Sequence, residues 1–458
     1  MHLKKRLGLL TLSLIAFQLL SIFQMPAIAD SISDDAFKSA AATLALSPLK
    51  SGSSPYLCLN RLHRARTVPV GVEIYQYDAS PLGGRQPLLF VHGLHGEFNP
   101  TLRWGKLAAF LQLDAAFRHR YKIYLARYNT HAALPSLERL FRPALLELSD
   151  RHDRRPIVIV SLSIAGNVIV GAMADALVKE RVARVLALGV PAYGSPLFNA
   201  DWMQFSMWTR HSWLSRIDRY LSFKLYFARH KNLLVDYQWS DLDGQKPPLV
   251  RCRFHLPLSS KLNPLADDRS LPSWYKADIK DKIWAYAGYE HSEFCGGRPP
   301  PRLLLYLTVP YSFFRTTIWT HCACEHAALR LLNHEMGEMV VDHPLNSRVG
   351  YALNDGITPV SSSLFLPVGM MSDLSIATAG DIAKLRQSIT VGKARLFENI
   401  DHISFIDGYH PLASSKNVVD RLAEDEARRP IFCWLRDDLM SSPESVSGLA
   451  TPLVRPND

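Results

Sequence analysis

Beyond roughly its first thirty residues the sequence has no apolar run long enough to cross a bilayer, which excludes a bundle of membrane helices. It has no dense run of lysine and arginine and no zinc-finger spacing. The net charge of +10, of which Lys4, Lys5 and Arg6 supply three, therefore does not point to nucleic acid. Attraction to an anionic lipid surface stays open. No internal repeat is visible, so a solenoid is excluded. Every Asn-x-Ser/Thr match carries an intervening proline, which fits a host that does not glycosylate its exports.

What is present reads as globular: 48% of the residues are apolar and 21% charged. At 458 residues the chain exceeds a usual single core, though large decorated α/β domains reach this size. The start is separate. Met1 to Arg6 is basic, Leu7 to Phe23 is largely apolar, and Ala27-Ile28-Ala29 offers small residues for cleavage. That is the pattern of a secretory signal peptide, cut after about Ala29 and leaving a secreted or periplasmic protein. The competing reading is an uncleaved anchor, for which the run is short and uneven. Six cysteines (Cys58, Cys252, Cys295, Cys322, Cys324, Cys433) in an exported chain have the means to form disulfides, with more pairings than a sequence can rank.

Residues 30 to 69 are polar and rich in serine and proline, an N-terminal extension. From about residue 70 strand and helix patterns alternate. Val72–Tyr77 reads as an outer strand. Buried strands are expected at Pro87–Val91, Lys122–Ala126, Ile157–Val160 and Ala183–Leu188, with helices over Leu102–Leu113, Leu134–Leu148 and Gly166–Lys179. The alternation predicts an α/β fold, a mostly parallel sheet with helices on both faces, which does its chemistry at the carboxyl ends of the strands. Residues 201–350 break the pattern and form an insertion or cap with a core strand near 282–289. A helix is expected over Cys324–Val341. Residues 351–440, with a strand at Ala394–Phe397, complete the core, and the Ser/Pro-rich stretch 441–458 reads as a disordered tail.

Ile157-Val-Ile-Val-Ser-Leu-Ser-Ile-Ala-Gly-Asn167 runs a buried strand into small residues. A nucleophile elbow holds its serine in a strained turn and needs small residues two before and two after it. Ser161 and Ala165 meet that need around Ser163, in place of the usual glycines. Gly166 lets the next helix begin close to the sheet. The amide of Ile164 would face a developing oxyanion, and a second amide, that of Leu94, would come from Phe90-Val-His-Gly-Leu-His-Gly96. Taken singly, these are also a strand capped by serines and a glycine turn. A serine nucleophile needs a base and the base an orienting carboxylate. Asp355 in Asn354-Asp-Gly356 and His402 in Asp401-His402 follow in the order Ser, Asp, His.

With those residues quoted, the chain resembles lipases of the α/β-hydrolase superfamily, of the bacterial triacylglycerol lipase and esterase type. Val91-His-Gly-Leu-His-Gly96 resembles their oxyanion loop. Leu188-Gly-Val-Pro-Ala-Tyr-Gly-Ser-Pro-Leu197 resembles their T-P-x-x-G-S-P segment, with Val190 for Thr, and Asn354–Ser362 is similar to their acid loop. The resemblance covers about 70–200, 280–290 and 350–410. It implies an α/β-hydrolase fold, Ser163 as nucleophile, Asp355 as acid, His402 as base and the Leu94 and Ile164 amides as oxyanion hole. Leu162 stands where such elbows commonly have histidine. No calcium ligand is carried over, since Ile403 and Ser404 follow His402, and no organic cofactor is implied.

The resemblance to lipases implies a mobile lid, for which an insertion at this place is suited. Asp201–Trp239 carries ten aromatic residues among basic ones such as Arg210, Arg216, Arg219, Lys224 and Arg229, suited to an acyl groove and an anionic lipid interface. The same aromatics also read as the core of a helical subdomain. The cluster His321-Cys322-Ala-Cys324-Glu-His326 has zinc-like density without a zinc spacing, so a disulfide or a helix start competes with a metal site. The expected activity is an exported carboxylic ester hydrolase acting on lipid or other acyl esters. Two alternatives are an acyltransferase with the same triad and an inactive homologue that binds a lipid or a partner.

Overall fold

A computed structural model describes residues 69–78, 80, 83–94, 96–98, 100–195, 250–252, 278–289, 339–342, 348–350, 353–366, 379–398, 400–407, 431–441 and 448–449. The signal-peptide region, the Asp201–Trp239 segment and the His321–His326 cluster lie outside the described residues. Among the described residues no helix is long and apolar enough to cross a membrane.

Eleven described strands run β1 (Glu73–Gln76), β2 (Gln86–Val91), β3 (Tyr121–Arg127), β4 (Ile157–Leu162), β5 (Val182–Leu188), β6 (Val250–Cys252), β7 (Ile283–Tyr289), β8 (Met339–Asp342), β9 (Arg348–Gly350), β10 (Lys393–Glu398) and β11 (Gly448–Leu449). Eight form one sheet in the order β1-β3-β2-β4-β5-β7-β10-β11. β1 pairs antiparallel with β3, and every other pairing in this sheet is parallel. β3, β4 and β7 are buried along their whole length, as strands covered on both faces should be, Lys122 and Arg127 of β3 included. The chain moves from β2 outward to β3 and then returns to the other side of β2 for β4. That reversal opens a crevice at the carboxyl ends of β2 and β4, where His92-Gly93 and Ser163 follow. This is the sheet of the α/β-hydrolase fold.

The described helices are α1 (Pro100–Gln112), α2 (Ala115–Arg120), α3 (Leu134–Asp150), α4 (Ile164–Ala172), α5 (Ala176–Arg181), α6 (Val360–Ser363), α7 (Ala379–Ser388), α8 (Ser404–Asp407) and α9 (Ile431–Met440). α3 buries Leu137, Phe141, Ala144, Leu145 and Leu148, one stripe at helical spacing. α4 is buried at every position and packs so closely on α3 that a Cβ at Gly171 would stand 2.1 Å from Glu138 Oε1.

Three expectations need correction. The single helix over Gly166–Lys179 is two helices, because the Asp175 side chain accepts from the amides of Leu177 and Val178 and starts α5 afresh. The end of the helix expected over Cys324–Val341 is strand instead. Met339–Asp342 pairs antiparallel with β6 and β9 in a small sheet of order β6-β8-β9, which suits the β-branched Val340 and Val341. Within the tail expected to be disordered, Gly448–Leu449 pairs in parallel with Lys393–Ala394 at the sheet edge, where β10 offers unpaired backbone.

Candidate active site

Ser163 has φ 56° and ψ −135°, in the left-handed half of backbone space that a side chain enters at a cost of about 1–3 kcal/mol. Its surroundings over-determine that turn. The Ser163 amide donates to Leu188 O at 2.9 Å, extending the β4–β5 ladder past the strand end, and Gly166 N donates back to Ser163 O at 2.9 Å. A Cβ at Gly166 would lie 2.2 Å from Val190 Cγ2, so only glycine lets α4 start this near the segment after β5. Ser161 and Ala165 are fully buried, in keeping with the crowding that their small size was expected to relieve.

The loop after β2 passes directly beside the serine: a Cβ at Gly93 would be 3.0 Å from Ser163 Cβ and 3.1 Å from Leu162 O. Gly96 N donates to Gly93 O at 3.1 Å, closing a turn over the half-buried Leu94. Ile164 is the first residue of α4, where the amide points away from the helix and along its dipole. Leu94 and Ile164, the residues expected to carry the oxyanion donors, thus follow two neighbouring strand ends, those of β2 and β4.

Asp355 is fully buried in a loop that packs back on itself. Its Oδ1 accepts from Ile357 N at 3.0 Å and Thr358 N at 2.6 Å, and Gly356, at φ 89°, makes the tight bend. Thr358 Oγ1 donates to Gly189 O at 3.2 Å, pinning the loop to the end of β5. The described strand that precedes Asp355 is β9 of the small sheet, not a strand of the main one. His402 lies in the loop after β10, 5% exposed. Asp355 holds it twice. The His402 amide donates to Asp355 O at 2.9 Å, and Nδ1–H donates to Asp355 Oδ2 at 2.7 Å. That bond fixes the tautomer with Nε2 as the basic nitrogen.

Asp401 adds a second restraint on this loop: its Oδ1 accepts from Ile403 N, Ser404 N and Ser404 Oγ, forming the turn that leads into α8. Among the described residues no hydrogen bond joins the Ser163 hydroxyl to His402. What links the two is the end of β5. Leu188 O receives the Ser163 amide, and the next residue, Gly189, packs so tightly on the acid–base pair that a Cβ would sit 2.9 Å from Asp355 Oδ2 and 3.0 Å from His402 Nδ1.

Sequence reasoning singled out Ser163, Asp355, His402, Leu94 and Ile164, and missed Gly189, Thr358 and Asp401. Gly189 lies inside the quoted Leu188–Leu197 segment, so its signal was present. The contacts that give it meaning come from distant parts of the chain. Among the described residues no group of three or more His, Cys, Asp or Glu could hold a metal ion.

No family model matches the chain, and no curated protein is similar to it. Solved structures that it resembles include lipases, esterases and other hydrolases. One is the mature form of the Bacillus licheniformis lipase BlEst2, 14% identical, with 73% of this chain and 93% of that one covered and a TM-score of 0.36. Another is the phospholipase PlaB of Legionella pneumophila, 13% identical, with 78% of this chain and 60% of that one covered and a TM-score of 0.37. The fold assignment stands on the strand order and pairing of this chain, not on those superpositions.

Proposed function

We propose that this chain is an exported serine hydrolase that cleaves carboxylic esters, lipid acyl esters foremost, through an acyl-enzyme. The observation that carries the reading is the buried Asp355–His402 pair, joined at 2.7 Å and packed against the end of β5 beside a strained serine. A buried carboxylate that spends one oxygen on backbone amides and the other on an imidazole is arranged to orient a base.

In the proposed reaction Ser163 Oγ attacks the acyl carbonyl carbon while its proton passes to His402 Nε2. The hydrogen bond between the two closes as substrate binds. The carbonyl oxygen becomes an oxyanion held by the Leu94 and Ile164 amides. Collapse of the tetrahedral species breaks the ester C–O bond, and the departing alkoxide takes the proton from His402. Water then attacks the acyl-enzyme and gives a proton to Nε2. Release of the carboxylic acid returns that proton to Ser163. Asp355 stays ionised throughout and steadies the imidazolium. The lipid preference draws on the aromatic and basic Asp201–Trp239 sequence, and the export on the signal-like N-terminus.

A fluorophosphonate probe tests the core of the reading. The folded protein should be labelled, and Ser163→Ala should abolish the label. His402→Asn should slow ester turnover by about ten-thousand-fold. A folded wild-type protein that takes no label sinks the hydrolase reading in favour of a binding role. A chain-length series, from short soluble esters to long-chain emulsions, then tests the lipid preference. Ester products in the presence of a lipid alcohol would move the assignment to acyl transfer.

A further inference from the structure

Glu97 is a fully buried carboxylate that the proposed chemistry does not use. A carboxylate kept from water is costly unless it is hydrogen-bonded, so its partners show what it is for. It stands in a short 3-10 turn, Gly96–Phe98, at the far end of the loop that carries Leu94. Thr130 Oγ1 reaches both carboxylate oxygens, at 3.0 and 2.8 Å, and His131 Nε2 lies 3.8 Å from Oε1. The Glu97 backbone carbonyl accepts from Arg127 Nε at 2.6 Å, and the same guanidinium pairs with Glu73 at 2.7 Å.

The near end of the loop is held from the same side. The His92 ring stacks on Tyr128 with centroids 4.5 Å apart and 13° between planes. Tyr128 OH donates to His92 O at 2.8 Å, and His92 Nδ1 donates to Gly93 O at 2.8 Å. Gly96 has no room for a side chain because a Cβ would meet the His92 ring at 2.3 Å. Arg127 to His131, the end of β3 and the residues after it, therefore grip the loop at both ends while Leu94 sits between them.

We infer that Glu97, through Thr130, is a positioning residue that sets the direction of the Leu94 amide. This rests on the reading of Leu94 as an oxyanion donor. The carboxylate fixes the gap between the loop after β2 and the loop after β3, and a small change in that gap rotates the amide relative to the carbonyl it must hold. A donor to the oxyanion counts mainly in the transition state, so its misplacement lowers kcat and spares KM.

The test compares Thr130→Val, which keeps the shape and removes the hydroxyl, with Thr130→Ser, which restores it, and with Glu97→Gln. The expected result is a kcat reduced about tenfold or more in Thr130→Val and Glu97→Gln, with KM within about twofold and kcat recovered in Thr130→Ser. A trifluoromethyl ketone, which mimics the tetrahedral species, should bind more weakly in parallel with kcat. Amide hydrogen exchange over residues 92–97 is the readout that needs no activity. It should quicken in both loss variants while exchange in β4 and β5 is unchanged. Unchanged exchange in 92–97, unchanged kcat, or equal losses in kcat, KM and global stability would overturn the assignment. If exchange quickens as expected but the wild type takes no fluorophosphonate, the clamp is real and it is the hydrolase reading, and with it the catalytic purpose of Glu97, that fails.

Discussion

A methyl group at Gly189 would intrude on the hydrogen bond that orients the proposed base, at 2.9 Å from Asp355 Oδ2 and 3.0 Å from His402 Nδ1. Gly83 has the same φ of +54° with no heavy atom within 4 Å of its would-be Cβ, which makes it a matched control. Both alanine variants bear the left-handed strain of about 1–2 kcal/mol. Only Gly189→Ala also displaces the acid–base pair. Ester kinetics alongside urea unfolding should show kcat at least about tenfold lower in Gly189→Ala and unchanged in Gly83→Ala. Equal effects in the two would assign the loss to backbone strain alone. At this scale the sequence was informative where a motif fixes size, as at Ser161, Ala165 and Gly166. It was silent where a side chain answers to a distant neighbour, as Glu97 does to Thr130.

Between elements, α9 is held by charge as well as by hydropathy: it buries Ile431, Phe432, Leu435 and Leu439, and with them Asp438. Asp438 accepts from Lys393 Nζ at 2.7 Å and from Arg395 at its Nε and, at 2.6 Å, its Nη2, while the Tyr286 hydroxyl donates to it as well. Arg184 reaches Leu439 O at 2.6 Å and Arg120 the Met440 carbonyl, so cations also meet the carbonyl end of the helix. Burial by itself would raise the Asp438 carboxyl. The hydrogen bonds and charge of Arg395, with Lys393 and Tyr286, outweigh it and hold the group below its ordinary value. Asp438→Asn should cost about 3 kcal/mol in urea unfolding at pH 7, because it strands two buried cations. With the folded value depressed, this contribution is present above pH ~4 and is lost as pH falls below it. A variant as stable as wild type would show that α9 is held by its apolar face alone. No element is predicted over 431–440 from sequence, although Ile431, Phe432, Leu435 and Leu439 stand at helical spacing; what the sequence does not show is that Asp438 answers to cations far off in the chain. β4 is legible because its β-branched run, Ile157–Val160, is continuous and needs no partner to be recognised.

At the scale of the whole molecule, stability should carry a titration near neutrality. His152 lies in the turn after α3; its Nδ1–H donates to Arg85 O at 3.3 Å and its Nε2 accepts from Tyr124 OH at 2.7 Å, joining that turn to β3 and to the residue before β2. Burial lowers its affinity for a proton. The Arg85 carbonyl opposes this, while the positive charges of Arg155, Arg85 and Lys122 add to it. The folded protein therefore holds His152 neutral more firmly than the unfolded chain, whose histidine titrates near pH ~6.5. Stability is complete above that pH and declines as pH falls through it toward the folded value, by at most about 1.4 kcal/mol per pH unit from this one group. Unfolding free energies measured from pH 8 to 5 should show the decline, and His152→Gln should flatten it. An unchanged slope in that variant would place the proton uptake elsewhere.

The alternation of buried strands and amphipathic helices, the order of Ser163, Asp355 and His402, and the small residues of the elbow were all determined by the sequence alone, because each is a local property of period, size or spacing. Tertiary structure decided the rest. Parallel strand register carried the ends of β2, β4, β5 and β10 to one edge, brought Asp355 to His402, and set Gly189 against both. It also split the helix after the elbow, drew Gly448–Leu449 onto the sheet and buried Glu97 at the far end of the loop of Leu94. Such contacts join residues far apart in the chain, and their energies depend on a packing geometry that no local pattern contains.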